Sequence, residues 1–125
     1  LERALHTAQI ACARLSVNGE ELQPILTPGL IEWQPNEAAS SVVQRCWPWV
    51  AAAAAESQAL GPIALITHGG PIGALLTEMG LEASEIEAYK QQFDHGNPIP
   101  TAGAWEAQRN GHGWALRLAF IPKND

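Results

Sequence analysis

The chain has 125 residues, which suits one domain and is long enough to bury a hydrophobic core. Apolar residues make up 46% of it, as in folded domains rather than disordered segments. Seven basic side chains against thirteen acidic ones give a formal charge of −6, which leaves no basic stripe for the phosphates of a nucleic acid. A small phosphorylated substrate stays compatible with this charge, because it needs only one or two well-placed cations.

The sequence predicts neither a membrane span nor a bound metal ion or other cofactor. No run of 18 apolar residues occurs, so we predict no membrane span. Cys12 and Cys46 are far apart and form no C-x-x-C pair, which favours buried thiols in a reducing, cytoplasmic setting. The four histidines lack the spacing of metal ligands, so we expect neither a metal nor another cofactor.

The first half of the sequence predicts two helices and a loop. Helix composition begins at Leu1 with no capping residue ahead of it, so we expect the domain to be N-terminally incomplete. This first helix should run to about Leu15. Residues 30–33 lie between breakers and predict a loop, where functional residues often occur. A second helix should follow Asn36 and end at Gly61, with a kink or restart at Pro48.

The second half predicts a strand, two helices and a hairpin. The apolar run Pro62–Thr67 is typical of a parallel strand that is covered on both faces. Pro71 suits the first turn of the next helix and Gly80 its end, while Ser84 and Glu87 form a capping-box pattern. Two strand-like segments flank Asn110-Gly111. We therefore predict an α/β domain with a mostly parallel open sheet flanked by helices, ending in a C-terminal hairpin.

The strongest local motif is Thr67-His68-Gly69-Gly70-Pro71. It would place His68 at the carboxyl end of a parallel strand, the edge where open α/β sheets bind ligands. The two glycines permit close approach to the backbone, and the following helix offers unpaired N–H groups to an anion. The alternative for this motif taken alone is a histidine that merely packs or caps.

Three segments together resemble one known family. Leu1-Glu2-Arg3-Ala4-Leu5-His6-Thr7-Ala8 is similar to the Leu-x-Arg-Ala-x-x-Thr-Ala segment of histidine phosphatases, the phosphoglycerate-mutase-like superfamily. The apolar run that ends in His68-Gly69-Gly70 resembles a later motif of that family. Asn36-Glu37-Ala38-Ala39-Ser40 followed by Arg45 resembles its Gly-Glu-Ser…Arg helix start. The resemblance covers residues 1–125 as a single domain.

The resemblance implies a phosphoryl-transfer enzyme that forms a phosphohistidine and acts on a small phosphorylated substrate. A phosphomonoesterase is favoured, and these residues do not separate it from a mutase. It implies that Arg3 grips phosphate oxygens in a bidentate fork, with the Gly69 backbone beside it. His68 would stabilise charge on the transferring phosphoryl group. Glu32 is the candidate proton donor to the leaving oxygen. Glu37 competes for that role, although its place at a helix start also suits the helix dipole.

The family's nucleophile lies in an Arg-His-Gly motif at the end of the first strand, and this chain contains no such motif. We expect that strand and that motif to lie upstream of Leu1. His6 and His112 are predicted to face solvent, and His95 to lie in a loop, either without a role or at the mouth of the pocket. The alternative is a non-catalytic, phospholigand-binding relative that has lost the nucleophile. An esterase is excluded because no Gly-x-Ser-x-Gly elbow follows His68-Gly69-Gly70.

Overall fold

A computed structural model of the protein describes residues 2–15, 22–93 and 95–123. The helices and strands, in chain order, are α1 Glu2–Arg14, a short 3-10 helix Pro28–Leu30, α2 Ala39–Leu60, α3 Gly69–Glu78, α4 Ala83–Gln92, β1 Ala104–Asn110 and β2 Gly113–Phe120. None of the described helices combines the length and the apolarity that crossing a membrane requires.

The hydrophobic core joins α2 to α3. Val42, Cys46 and Val50 recur every four residues along α2, so they share one face, and all three are buried against Leu75 of α3. Leu30 of the 3-10 helix packs against the same cluster. This contact holds the loop that contains Glu32 close to the start of α3, where His68 lies.

The C-terminal hairpin has the predicted position. β1 and β2 pair antiparallel, and Asn110 lies opposite Gly113 across the turn. Trp114 docks the hairpin on α2 through an edge-to-face contact with Trp47, their ring centroids 5.9 Å apart. Trp105 of β1 makes a similar contact with Tyr89 of α4 and donates a hydrogen bond to the Pro98 carbonyl.

The predicted sheet is wrong. Among the described residues the sheet has two antiparallel strands, β1 and β2, and is not a mostly parallel open sheet flanked by helices. The run Ile63–Thr67, predicted to be an interior parallel strand, belongs to no helix or strand. A strand exists only where another segment pairs with it, and apolar composition cannot supply that partner. Ile63 and Leu65 are each 36% exposed instead of buried.

Smaller predictions about the helices have mixed outcomes. α2 runs from Ala39 to Leu60 through Pro48, so the predicted restart does not occur. α2 ends at Gly61, whose φ of 85° favours glycine, as predicted. Ser84 does not cap α4: the residue before the helix is Glu82, which makes no side-chain cap bond, and Ser84 lies one residue inside the first turn.

Candidate functional site

His68 is the residue immediately before α3, and its imidazole is almost enclosed. Its side chain is 9% exposed. The Nε2 atom is buried and has no hydrogen-bond partner among residues 2–15, 22–93 and 95–123. Buried polar atoms are nearly always hydrogen-bonded, so an exception is a candidate contact for a ligand. The His68 carbonyl accepts the amide hydrogen bond of Ile72, which fixes the residue at the helix start.

Glu32 lies beside this imidazole. Its Oε2 atom is 3.5 Å from His68 Nδ1, and its Oε1 atom accepts a hydrogen bond of 2.9 Å from the Trp33 amide. The carboxyl remains 46% exposed, so it can exchange protons with solvent or with a bound substrate. The loop that carries Glu32 is also tied to the segment before α3, because the Thr67 hydroxyl donates to the Leu30 carbonyl at 2.8 Å.

Arg45, on α2, binds the loop that contains Glu32 through its guanidinium group. Two of its N–H groups bind the Glu37 carboxylate, at 2.7 Å from Nε and 2.9 Å from Nη2. The other three donate to the carbonyls of Gly29, Ile31 and Glu32 at 2.8, 2.9 and 3.0 Å. A guanidinium has five N–H donors, so every donor of Arg45 is used inside the protein. Arg45 is therefore a positioning residue for the loop and is not available to grip a phosphate.

Glu37 is the weaker of the two acid candidates. The Arg45 guanidinium beside it holds the pKa of its carboxyl below the ordinary value, with a further lowering from the hydrogen bond that Glu37 accepts from the Gln34 amide. A carboxyl kept ionised by an arginine is a poor proton donor. The geometry therefore favours Glu32, which makes no such pair with a guanidinium.

The pKa of His68 is lowered. Burial is the main cause, and the positive charges of Arg3 and Arg45 lower it further, while the Glu32 carboxylate acts in the opposite direction. Arg3 lies on α1 and is exposed to solvent, and among the described residues no hydrogen bond or ion pair joins it to His68 or Glu32. A bound anion beside the imidazole would act in the same direction as Glu32 and raise this pKa.

Gly69 and Gly70 begin α3, and both are closely contacted. A Cβ atom at position 69 would lie 2.5 Å from Cγ of Asn97, and one at position 70 would lie 3.0 Å from Glu32 Oε1. Glycine at these positions lets the Asn97 and Glu32 side chains approach the helix start. The first N–H groups of α3, at Gly69 and Gly70, have no carbonyl four residues back within the helix to bind. Sequence reasoning identified both glycines but not Asn97, which no motif signals.

The remaining histidines and cysteines lie apart from this cluster. His112 lies in the exposed hairpin turn, His95 is an exposed loop residue and His6 is an exposed residue of α1, where each was predicted. Cys46 is buried in the core, and burial raises the pKa of its thiol. The part of the chain that the structure describes has no group of three or more His, Cys, Asp or Glu placed to hold a metal ion.

The site thus brings together His68, Glu32 and the first turn of α3. Comparisons of this chain with protein-family models, with curated proteins and with solved structures find no match.

Proposed function

We propose that this chain contributes most of the site of a phosphoryl-transfer enzyme, a phosphomonoesterase that acts through a phosphohistidine. The observation that supports it best is the buried His68 Nε2, which has no partner among the described residues and belongs to the residue that precedes the N-terminus of α3. A helix N-terminus favours a negative charge, and a buried imidazole next to it can donate to the same anion.

In the proposed reaction the histidine of an Arg-His-Gly segment, which this chain does not contain, attacks phosphorus. The phosphorus–oxygen bond to the alcohol breaks, and Glu32 in its protonated form gives its proton to the departing oxygen. His68 donates to the phosphoryl oxygens as charge gathers on them, and Arg3 pairs with the same oxygens. Water then attacks the phosphohistidine, and the Glu32 carboxylate accepts the water's proton. Phosphate leaves, and both histidines return to their starting state.

A second candidate is a non-catalytic protein that binds a phosphorylated ligand. It is favoured by one observation, the lack of any Arg-His-Gly motif in these 125 residues. The same contacts with His68, Arg3 and the start of α3 would then serve affinity alone. No bond would be broken, and Glu32 would have no proton to transfer.

One experiment separates the two candidates. The protein is incubated with a radiolabelled aryl phosphate, quenched in base and analysed for phosphohistidine, which is stable in base and labile in acid. Acid-labile label together with steady release of phosphate supports the enzyme. Neither label nor turnover, with vanadate binding that His68→Ala abolishes, supports the binding protein. The absence of label, turnover and vanadate binding would contradict both.

A further inference from the structure

A large open cleft lies next to the histidine cluster, between α2, α3 and α4. We call it the α2–α3 cleft; its volume is about 950 Å³, and its walls include Trp33, Val43, Trp47, Gly70, Ala74 and Pro98. The cleft is at the upper end of the size range of small-molecule pockets, roughly 300–1,000 Å³. It is much larger than a phosphoryl group needs, and it does not include His68 itself.

The cleft and the histidine cluster share a wall. Gly69 and Gly70 line the cleft and directly follow His68. A Cβ at Gly70 would lie 3.0 Å from Glu32 Oε1 and 3.3 Å from Trp33 Cβ, so the carboxyl and the indole both lie against this glycine. Trp33 is held in place because its indole N–H donates to the Glu37 carbonyl. A group attached to an oxygen at Glu32 would therefore pass Trp33 and enter the cleft.

The lining of the cleft indicates an uncharged, bulky group. Most of the lining is apolar, and it includes the two indoles of Trp33 and Trp47. Among the described lining residues, the charged ones are Glu78 and Lys90, whose charges are opposite. Lys90 also pairs with Glu87 at 3.5 Å. A cleft whose charged lining residues balance and whose walls are aromatic suits an aromatic or aliphatic group.

We propose that the α2–α3 cleft binds the alcohol portion of the substrate, so that the enzyme prefers phosphomonoesters of bulky, uncharged aromatic or aliphatic alcohols. This inference rests on the proposed phosphatase function. It adds a substrate class that the histidine cluster alone does not define, because that cluster contacts only the phosphoryl group and the leaving oxygen.

Gly73 offers a way to fill the cleft without disturbing the histidine cluster. It lies in α3 on the cleft wall, and a Cβ there would be 3.5 Å from Pro98 Cδ, an ordinary van der Waals distance. Replacing a helical glycine also improves helix propensity. Gly73→Met therefore adds a flexible side chain to the cleft, and Gly73→Ala is a smaller step in the same direction. Ala55→Met, at an exposed position of α2 outside the cleft, is the matched control.

The test compares phenyl phosphate with 1-naphthyl phosphate on the full-length protein, and measures binding of 1-naphthol by calorimetry. The second ring buries more apolar surface, so we expect kcat/KM about tenfold higher for the naphthyl ester, carried by KM. Gly73→Met should abolish that preference and the binding of 1-naphthol, because the added side chain occupies the space of the second ring. Gly73→Ala should reduce the preference partly, and Ala55→Met should behave like the parent.

The outcomes distinguish this inference from the proposed function. Hydrolysis of phenyl phosphate with no naphthyl preference and no binding of 1-naphthol would overturn the substrate class and leave the phosphatase intact. If Gly73→Met leaves the preference for the naphthyl ester unchanged, the proposed substrate class is also overturned. Binding of 1-naphthol that Gly73→Met abolishes, in a protein that hydrolyses neither ester, would support the cleft as an apolar site and contradict the phosphatase.

Discussion

Glu32 and His68 face each other across 3.5 Å, from Oε2 to Nδ1, although 36 positions of sequence separate them. The two side chains differ in their access to solvent, since the carboxyl is 46% exposed and the imidazole 9% exposed. A proton donor needs access to solvent to be recharged, whereas a group that stabilises developing charge gains from being shielded from water. The difference in exposure matches the two roles proposed for these residues.

The first prediction concerns His68. In the full-length protein, His68→Ala should lower kcat for p-nitrophenyl phosphate by roughly 10²–10³-fold, as does the loss of one preorganised donor to a charged transition state. His112→Ala is the control, because His112 lies in the exposed hairpin turn. A folded His68→Ala variant that turns over at the parent rate would remove His68 from the mechanism.

The second prediction concerns the acid. Glu32→Gln keeps the shape of the side chain and removes its proton, so it should slow alkyl phosphates much more than p-nitrophenyl phosphate, whose leaving group departs without protonation. The measurement is kcat for a series of esters with leaving groups of increasing basicity, plotted against that basicity. Glu56→Gln, on α2 and exposed, should leave the slope unchanged. An equal loss for all esters would assign Glu32 a role other than proton transfer.

The third prediction concerns the charges around His68. Its pKa, measured by NMR titration, should lie below the ordinary value of 6.5, chiefly because the imidazole is buried. Arg3→Gln should raise this pKa by removing a cation, and Glu32→Gln should lower it by removing an anion. Inorganic phosphate should raise it in the parent if the anion binds beside the imidazole. If Arg3→Gln leaves the pKa of His68 unchanged, Arg3 does not act on this site.

The fourth prediction concerns the pH dependence of stability. The pKa of Glu37 is lower in the folded protein than its ordinary value of 4.5, so the unfolded chain binds this proton more tightly. The stabilisation from Glu37 is therefore present above about pH 4.5, and it is lost as the pH falls through the folded pKa. Urea unfolding between pH 3 and pH 7 should show this loss in the parent and a flatter profile in Glu37→Gln.

A matched control for Glu37 exists in the hairpin. Glu106 pairs with Arg117 at 3.1 Å, but both side chains are more than half exposed. Exposed pairs contribute little to stability, so Glu106→Gln should leave the profile close to that of the parent. If Glu37→Gln and Glu106→Gln flatten the pH profile of stability equally, the Glu37–Arg45 pair stabilises the protein no more than an exposed ion pair does.

Local features of the fold were predictable from the sequence, and the sheet was not. The helix ends at Gly61 and Gly80 and the hairpin at Asn110-Gly111 follow from backbone preferences of single residues or short turns. The strand at Ile63–Thr67 was predicted from composition, but strand formation depends on a second segment, and a single run says nothing about its partner. For this reason the predicted sheet is wrong, whereas the predicted helix ends at Gly61 and Gly80 and the hairpin turn are correct.

The candidate site was predicted in part. His68 and Gly69 stand out through a motif, and Glu32 through its loop between two breakers. The choice between Glu32 and Glu37 could not be made from sequence, because it depends on which carboxyl the Arg45 guanidinium reaches. The contact of Asn97 with Gly69 depends on how the loop after α4 folds back, which no local pattern encodes.

The five internal bonds of Arg45 also bear on the thermodynamics of ligand binding. A loop that must be ordered by its ligand subtracts the lost conformational entropy from the affinity, at about 1–2 kcal/mol for each backbone residue fixed. Here the carbonyls of Gly29, Ile31 and Glu32 are hydrogen-bonded to Arg45 of α2, within the protein itself. That entropic cost is therefore already met during folding. Ligand binding at Glu32 should proceed without a slow step in which the loop becomes ordered. Arg45→Lys keeps the positive charge but loses the multiple N–H donors of the guanidinium. It should therefore slow ligand association more than it changes the contacts in the bound complex.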